Sequence, residues 1–121
     1  MTTILVVEND KNHLFLVEQE LLPEGYNIVT AEDGCEALNK AKECPPDLVV
    51  MDIVLPDMDG IELIERILSK SGRKIPIIIH TAYTSYKCKL ITWLTVAYVI
   101  IKSSDLSGLK NKIRELTNKI E

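Results

Sequence analysis

Asp47-Leu48-Val49-Val50-Met51-Asp52-Ile53-Val54-Leu55-Pro56-Asp57-Met58-Asp59-Gly60 is the stretch on which the reading of the chain turns. Leu48 to Met51 is an unbroken apolar run between two acidic residues. A run of this kind suits a strand buried on both faces, as in a parallel sheet covered by helices. It ends on Asp52, and a loop containing Pro56 and Gly60 follows before a helical pattern begins at Ile61. A carboxylate at the exit of a buried strand contributes little to packing. In open α/β sheets the crevice beyond the carboxyl ends of the strands is where ligands bind. Asp52 is therefore the first candidate for chemistry.

Working outward, Ile4-Leu5-Val6-Val7 is a second buried-strand run, and it ends in Glu8-Asn9-Asp10. Leu14, Val17 and Leu21 share one helical face, with Phe15 and Leu22 beside it. Asn9 or Asp10 can cap that helix, and Pro23 and Gly25 close it. Tyr26 to Thr30 reads as a short strand. Asp33-Gly34-Cys35-Glu36 has capping-box form and opens a helix carrying Ala37, Leu38 and Ala41, which Pro45-Pro46 stops. Asp59-Gly60-Ile61-Glu62 repeats the capping pattern, and Ile61, Ile64, Ile67 and Leu68 continue it as a stripe to about Gly72. Ile75 to Ile79 is a strand finishing at His80-Thr81-Ala82. A short helix holding Leu90 and Trp93 is expected within residues 84 to 95. Ala97 to Ile101 is a fifth apolar run, terminated by Lys102. Leu106, Leu109, Ile113, Leu116 and Ile120 then recur at helical steps. Five successive strand–helix units imply an α/β fold, a doubly wound parallel sheet with helices on both faces.

The 121 residues fit one domain spanning 1–121. A charged fraction of 26% with 46% hydrophobic residues argues for a soluble globular chain rather than a disordered one. The net charge of −4 is unlike the basic face of a nucleic-acid binder. No apolar stretch reaches the ~18 residues of a membrane span, and no basic leader precedes Ile4. A cytoplasmic location is expected. Cys35, Cys44 and Cys88 lack metal-site spacing and are read as reduced thiols.

Glu8 with Asn9, then Asp52, Thr81 and Lys102 terminate four of the apolar strands, and a doubly wound sheet gathers such ends on one rim. The set is chemically coherent. Carboxylate and amide oxygens suit Mg²⁺, a hydroxyl and an ammonium can hold phosphoryl oxygens, and a carboxylate can be the nucleophile that forms an aspartyl phosphate.

Taken in order over essentially the whole chain, these features resemble the receiver domains of two-component response regulators. Asp52 to Gly60 is similar to the family's segment from phosphoacceptor aspartate to glycine. Thr81-Ala82 after Ile77-Ile78-Ile79 resembles its switch threonine, Lys102 its lysine, and Glu8-Asn9 its acidic pair. The resemblance implies a flavodoxin-like sheet of strand order 2-1-3-4-5. It implies that Asp52 accepts phosphate from a sensor histidine kinase or phosphotransfer protein. Glu8, Asn9, Asp52 and the Val54 carbonyl would bind Mg²⁺, Lys102 would pair with a phosphoryl oxygen, and Thr81 would move to bond another. The surface of the fourth helix, fifth strand and fifth helix would then meet an output protein or a second copy, with no direct contact to nucleic acid. Signalling rather than enzymatic turnover is the implied role, although the domain assists its own phosphoryl transfer and dephosphorylation.

Three positions depart from the family pattern. Asn9 stands where an aspartate is usual, so low but measurable Mg²⁺ affinity is expected, with Asp10 contributing from the loop. Ser103 replaces the usual proline after Lys102, and a trans bond is expected there because a non-proline cis peptide costs ~2.5–4 kcal/mol. Tyr98 lies four residues before Lys102 rather than three, which makes Ile101 an extra residue to be taken up by a bulge or a shifted strand. The alternative reading is a phosphorylation-independent binding module. A phosphohydrolase is disfavoured because Val54 stands where those enzymes carry an acid–base aspartate. His80 is read as structural and His13 as a solvated surface residue.

Overall fold

The computed structural model describes residues 2–52, 54–71, 75–81, 97–101 and 105–120. Leu48 to Met51 is the central strand β3, and all four of its residues are buried. Around it lie β1 (Thr3–Val7), β2 (Asn27–Ala31), β4 (Ile77–Thr81) and β5 (Ala97–Ile101). They form one parallel sheet in the order β2-β1-β3-β4-β5, as expected. Helices α1 (Lys11–Leu21), α2 (Gly34–Glu43) and α3 (Gly60–Ser71) alternate with the strands, and a C-terminal helix spans Ser107–Ile120.

Because side chains alternate along a strand, the central strands feed two cores. Leu5, Val7, Val49, Met51, Ile77 and Ile79 pack with Ala37 of α2 and Leu63, Ile64 and Ile67 of α3. Ile4, Val6, Leu48, Val50 and Ile78 pack with Val17 and Leu21 of α1 and with Leu109, Ile113 and Leu116 of the C-terminal helix. Burial of each such aliphatic side chain contributes about 1.5–3 kcal/mol. This two-sided burial explains why the strands read as continuous apolar runs. Lys110–Glu20 (3.1 Å) and Arg114–Glu24 tie the C-terminal helix to α1 and the turn after it. Such exposed pairs contribute at most ~1 kcal/mol.

Local boundaries follow local chemistry. Helix α1 passes into a 3-10 turn, Leu22–Glu24, which ends on Gly25 at φ 90°, a left-handed conformation that glycine adopts without strain. Strand β4 begins at Ile77 rather than Ile75, because its register with β3 opens at Val49↔Ile77. Phe15 and Leu22, expected beside the buried face of α1, are instead exposed, Phe15 by 62%. The apolar face of α1 is narrower than its sequence suggests.

Of the bulge or shifted strand expected to take up Ile101, no bulge occurs within residues 97–101, where β5 pairs with β4 without interruption from Ile77↔Ala97 to Thr81↔Ile101. A strand at the sheet edge can take up a residue by sliding as a whole, because only one neighbour constrains it. The expected helix within 84–95 with Leu90 and Trp93, the end of α3 at Gly72, the Lys102–Ser103 peptide and Cys88 lie outside the described residues. Cys35 and Cys44 are free thiols. Among the described residues no helix is long and apolar enough to cross a membrane.

Candidate functional site

The register of the sheet brings the acidic residues together. Val7 pairs with Met51, and the Asp52 N–H donates to the Val7 carbonyl at 3.1 Å. One step further, Glu8 and Asp52 are neighbours on adjacent strands, which lie about 4.8 Å apart. Glu8 still belongs to the ladder, its N–H donating to the Ala31 carbonyl at 3.0 Å. Glu8 is 4% exposed, an unusual degree of burial for a carboxylate, whereas Asp52 is half-buried. Both continue strand series that face α1 and the C-terminal helix, so two negative charges share one side of the rim.

Asn9 and Asp10 divide the roles that the sequence left open between them. Asp10, not Asn9, caps α1: its Oδ1 accepts from the Asn12 and His13 N–H groups at 3.0 and 3.4 Å. This capping engages Asp10 Oδ1 at the helix start. The Glu8 Oε1 in turn accepts from the Asp10 N–H at 3.3 Å. Asn9 is exposed and lies between the buried carboxylate and the cap.

After Asp52 the chain closes into a small loop. The Val54 N–H donates to Asp52 Oδ1 at 3.1 Å, and Val54 forms an isolated antiparallel bridge with Asp59. Val54 is 56% exposed, which leaves this segment at the rim rather than in the core. Asp59 caps α3 as expected, accepting from the Ile61 N–H at 2.9 Å. Asp33 likewise caps α2, accepting from the Glu36 N–H at 2.8 Å.

Asp57, in the loop after Asp52, has a role that no local pattern announces. Its two carboxylate oxygens accept from the Gly34 and Cys35 N–H groups, both at 2.8 Å, and so bind the Asp52 loop to the start of α2. Met58 seals the junction, since a Cβ on Gly34 would sit 2.5 Å from Met58 Cγ. The Gly34 N–H, then the Cys35 N–H, hold the Asp57 carboxyl below its ordinary value of 3.8. A carboxyl depressed on folding binds its proton more readily in the unfolded chain. Its contribution to stability is therefore complete above the ordinary carboxylate range and is lost as pH falls through the lower folded value. In Asp57→Asn, denaturant midpoints are expected to depend less steeply on pH below 3.8 than in the parent. An unchanged acid limb would show that the clamp adds nothing to acid sensitivity.

Thr81 is the last residue of β4 and stands in register with Ile101 of β5. Lys102 lies outside the described residues, and with it the facing of Tyr98 relative to Lys102. His80 is buried (3% exposed), as its structural reading required, and one of its contacts is with His13. His13 is half-buried rather than solvated, a correction that follows from this contact.

The residues at the β1 and β3 ends fit Mg²⁺ in kind. They are two carboxylates, an amide and a loop carbonyl, all hard oxygen donors. Among the described residues no three His, Cys, Asp or Glu side chains gather as a metal cluster, so an ion here would rely on two charged ligands.

Comparisons with known proteins agree with this geometry. Residues 4–114 match the family described as response regulator receiver domain. Response regulator ArlR of Staphylococcus aureus is 34% identical over 116 residues, covering 96% of this chain and 52% of that protein. The Bacillus subtilis alkaline phosphatase synthesis transcriptional regulatory protein PhoP is 42% identical over 79 residues, or 65% of this chain and 32% of that protein. The chain thus spans about half or less of the length of these relatives. Among solved structures, response regulator TrrA of Thermotoga maritima in complex with Mg(2+)-BeF superposes with a TM-score of 0.84 at 40% identity, covering 96% and 99% of the two chains. A receiver domain protein from Methanospirillum hungatei gives 0.88 at 31% identity, with 98% and 95% covered. Sheet order and these likenesses agree, and the chain belongs to the response regulator receiver domain family.

Proposed function

We propose that the chain is a phosphoacceptor, a receiver domain over residues 1–121 that takes a phosphoryl group onto Asp52 in a cytoplasmic two-component relay. The observation that carries this reading is the adjacency of Glu8 and Asp52 at the carboxyl edge of the sheet. An Asp52 oxygen attacks the phosphorus of a phosphohistidine, the P–N bond breaks, and the imidazole leaves as the aspartyl phosphate forms. Glu8, Asn9, Asp52 and the Val54 carbonyl would hold Mg²⁺, which supplies charge neutralisation between nucleophile and phosphoryl group. The Val54 N–H steadies Asp52 through its 3.1 Å bond. Thr81 and Lys102 take the roles of phosphoryl-binding hydroxyl and ammonium, and the motion of Thr81 carries the signal to an output protein or a second copy. The same groups assist hydrolysis of the acyl phosphate, so the domain limits the life of its own signal.

TrrA has been seen both in complex with Mg(2+)-BeF and in complex with histidine kinase ThkA, the latter at 38% identity to this chain, which supports the choice of ion and donor. Phe15 and Leu16 are exposed on α1, by 62% and 42%, close to the rim. They form an apolar patch suited to a helical donor. Phe15→Ala should slow transfer from an autophosphorylated cognate kinase several-fold and leave labelling by acetyl phosphate unchanged. Equal loss with both donors would remove Phe15 from the docking surface. The reading as a whole is tested by incubation with acetyl phosphate and Mg²⁺ followed by intact-mass analysis. A gain of one phosphoryl group is expected, and an unchanged mass would favour a phosphorylation-independent module.

A further inference from the structure

The chain contains two histidines, 67 positions apart, and the fold brings them together. His13 Nε2 on α1 lies 3.3 Å from His80 Nδ1 on β4, with ring centroids 5.1 Å apart and planes inclined by 30°. His80 is 3% exposed and continues Ile78 on a face otherwise built from Val6, Val50, Val17 and Leu21. An aliphatic side chain there would avoid the desolvation of two ring nitrogens, a cost that burial imposes on any polar group. The contact satisfies one nitrogen of each ring, but it also sets two imidazole nitrogens at a chelating distance. A tetrahedral ion with metal–nitrogen bonds of ~2.0–2.1 Å separates two of its ligands by about 3.3–3.4 Å.

We propose that His13 and His80 form a binding site for an imidazole-preferring divalent ion of tetrahedral habit, Zn²⁺, which clamps α1 to β4. Each ring presents one unprotonated nitrogen to the ion. The hydrogen shared between the rings moves to the far nitrogen of its own imidazole, so a neutral pair binds without net proton release. His13 is half-buried, so the ion and the waters that complete its shell enter along α1. Mg²⁺ does not compete, because it prefers oxygen donors and near-octahedral geometry. The site does not depend on phosphorylation of Asp52, yet it grips the residue immediately before Thr81.

The test is a Zn²⁺ titration of the whole chain in excess Mg²⁺, followed by long-range proton–nitrogen NMR of the imidazoles. With two histidines in the chain, each ring is read separately. Both are expected to respond together, saturating at one equivalent, and His13→Gln should weaken Zn²⁺ binding at least ten-fold with the amide spectrum otherwise retained. A response from one ring alone, a response from neither, or undiminished affinity in His13→Gln would overturn the proposal. Asp52→Asn should keep the Zn²⁺ response, which separates this site from the phosphoacceptor.

Discussion

Asp52→Asn is expected to abolish the phosphoryl mass gain completely while leaving the fold intact. The amide oxygen of asparagine can still accept the bond that the Val54 N–H gives to Asp52 Oδ1 at 3.1 Å. The loop after β3 therefore keeps its local restraint. The nucleophile, however, is gone, because a neutral amide oxygen does not displace imidazole from phosphorus. Asp52 is also the register neighbour of the buried Glu8 carboxylate, so neutralising it removes a like-charge repulsion at the rim. The thermal midpoint without Mg²⁺ should be unchanged or slightly raised, consistent with the ±0.5 kcal/mol typical of substitutions that break no core contact. Stabilisation by added Mg²⁺ should fall sharply, since one of two charged ligands is lost. A residual mass gain would move the phosphoacceptor elsewhere, and a collapsed midpoint would show that Asp52 serves the fold rather than the chemistry.

The opposite change, Asn9→Asp, should tighten Mg²⁺ binding about ten-fold or more. Asn9 is exposed and does not cap α1, a duty that Asp10 performs, so the substitution leaves the helix start untouched. It adds one charge facing a divalent ion. Two unit charges ~4 Å apart in a water-like dielectric interact by ~1 kcal/mol, and the double charge of the ion raises this to about 2 kcal/mol. Added repulsion from Glu8 and Asp52 offsets part of that gain, and ~1.4 kcal/mol is a factor of ten in affinity. The ion-free protein should lose stability from the same repulsion, so midpoints with and without Mg²⁺ diverge. Calorimetric titration of the two proteins reads the difference. Equal affinities would show that position 9 does not reach the ion.

Much of this architecture was legible from the strands alone. Leu48 to Met51 and Ile4 to Val7 read as doubly buried because both faces of each strand meet helices, and no polar residue interrupts them. Glu8 and Asp52 could be picked out because a carboxylate ending such a run has no packing role. What escaped the sequence was set by contacts between distant segments. The grip of Asp57 on Gly34 and Cys35 spans 22 or 23 residues and leaves no periodic trace. The meeting of His13 with His80 depends on how α1 lies across β4, which no local pattern encodes. Asn9 and Asp10 are both capping residues, and which of them caps was settled by the last ladder bond of β1 at Glu8. Phe15 kept its place beside the apolar stripe of α1, but the width of the covered face is a property of the neighbours.

The junction between β1 and α1 has one more consequence. Glu8 remains in the sheet ladder and Asp10 already holds the first turn of the helix, so Asn9 alone bridges two rigid bodies. There is no slack between them. An ion drawing on this hinge would tilt α1 as a lever and carry Phe15, in its second turn, with it. Cation loading and donor docking would then be thermodynamically reciprocal: a kinase that prefers one tilt of the lever raises the affinity for the ion by the same factor as the ion raises its own.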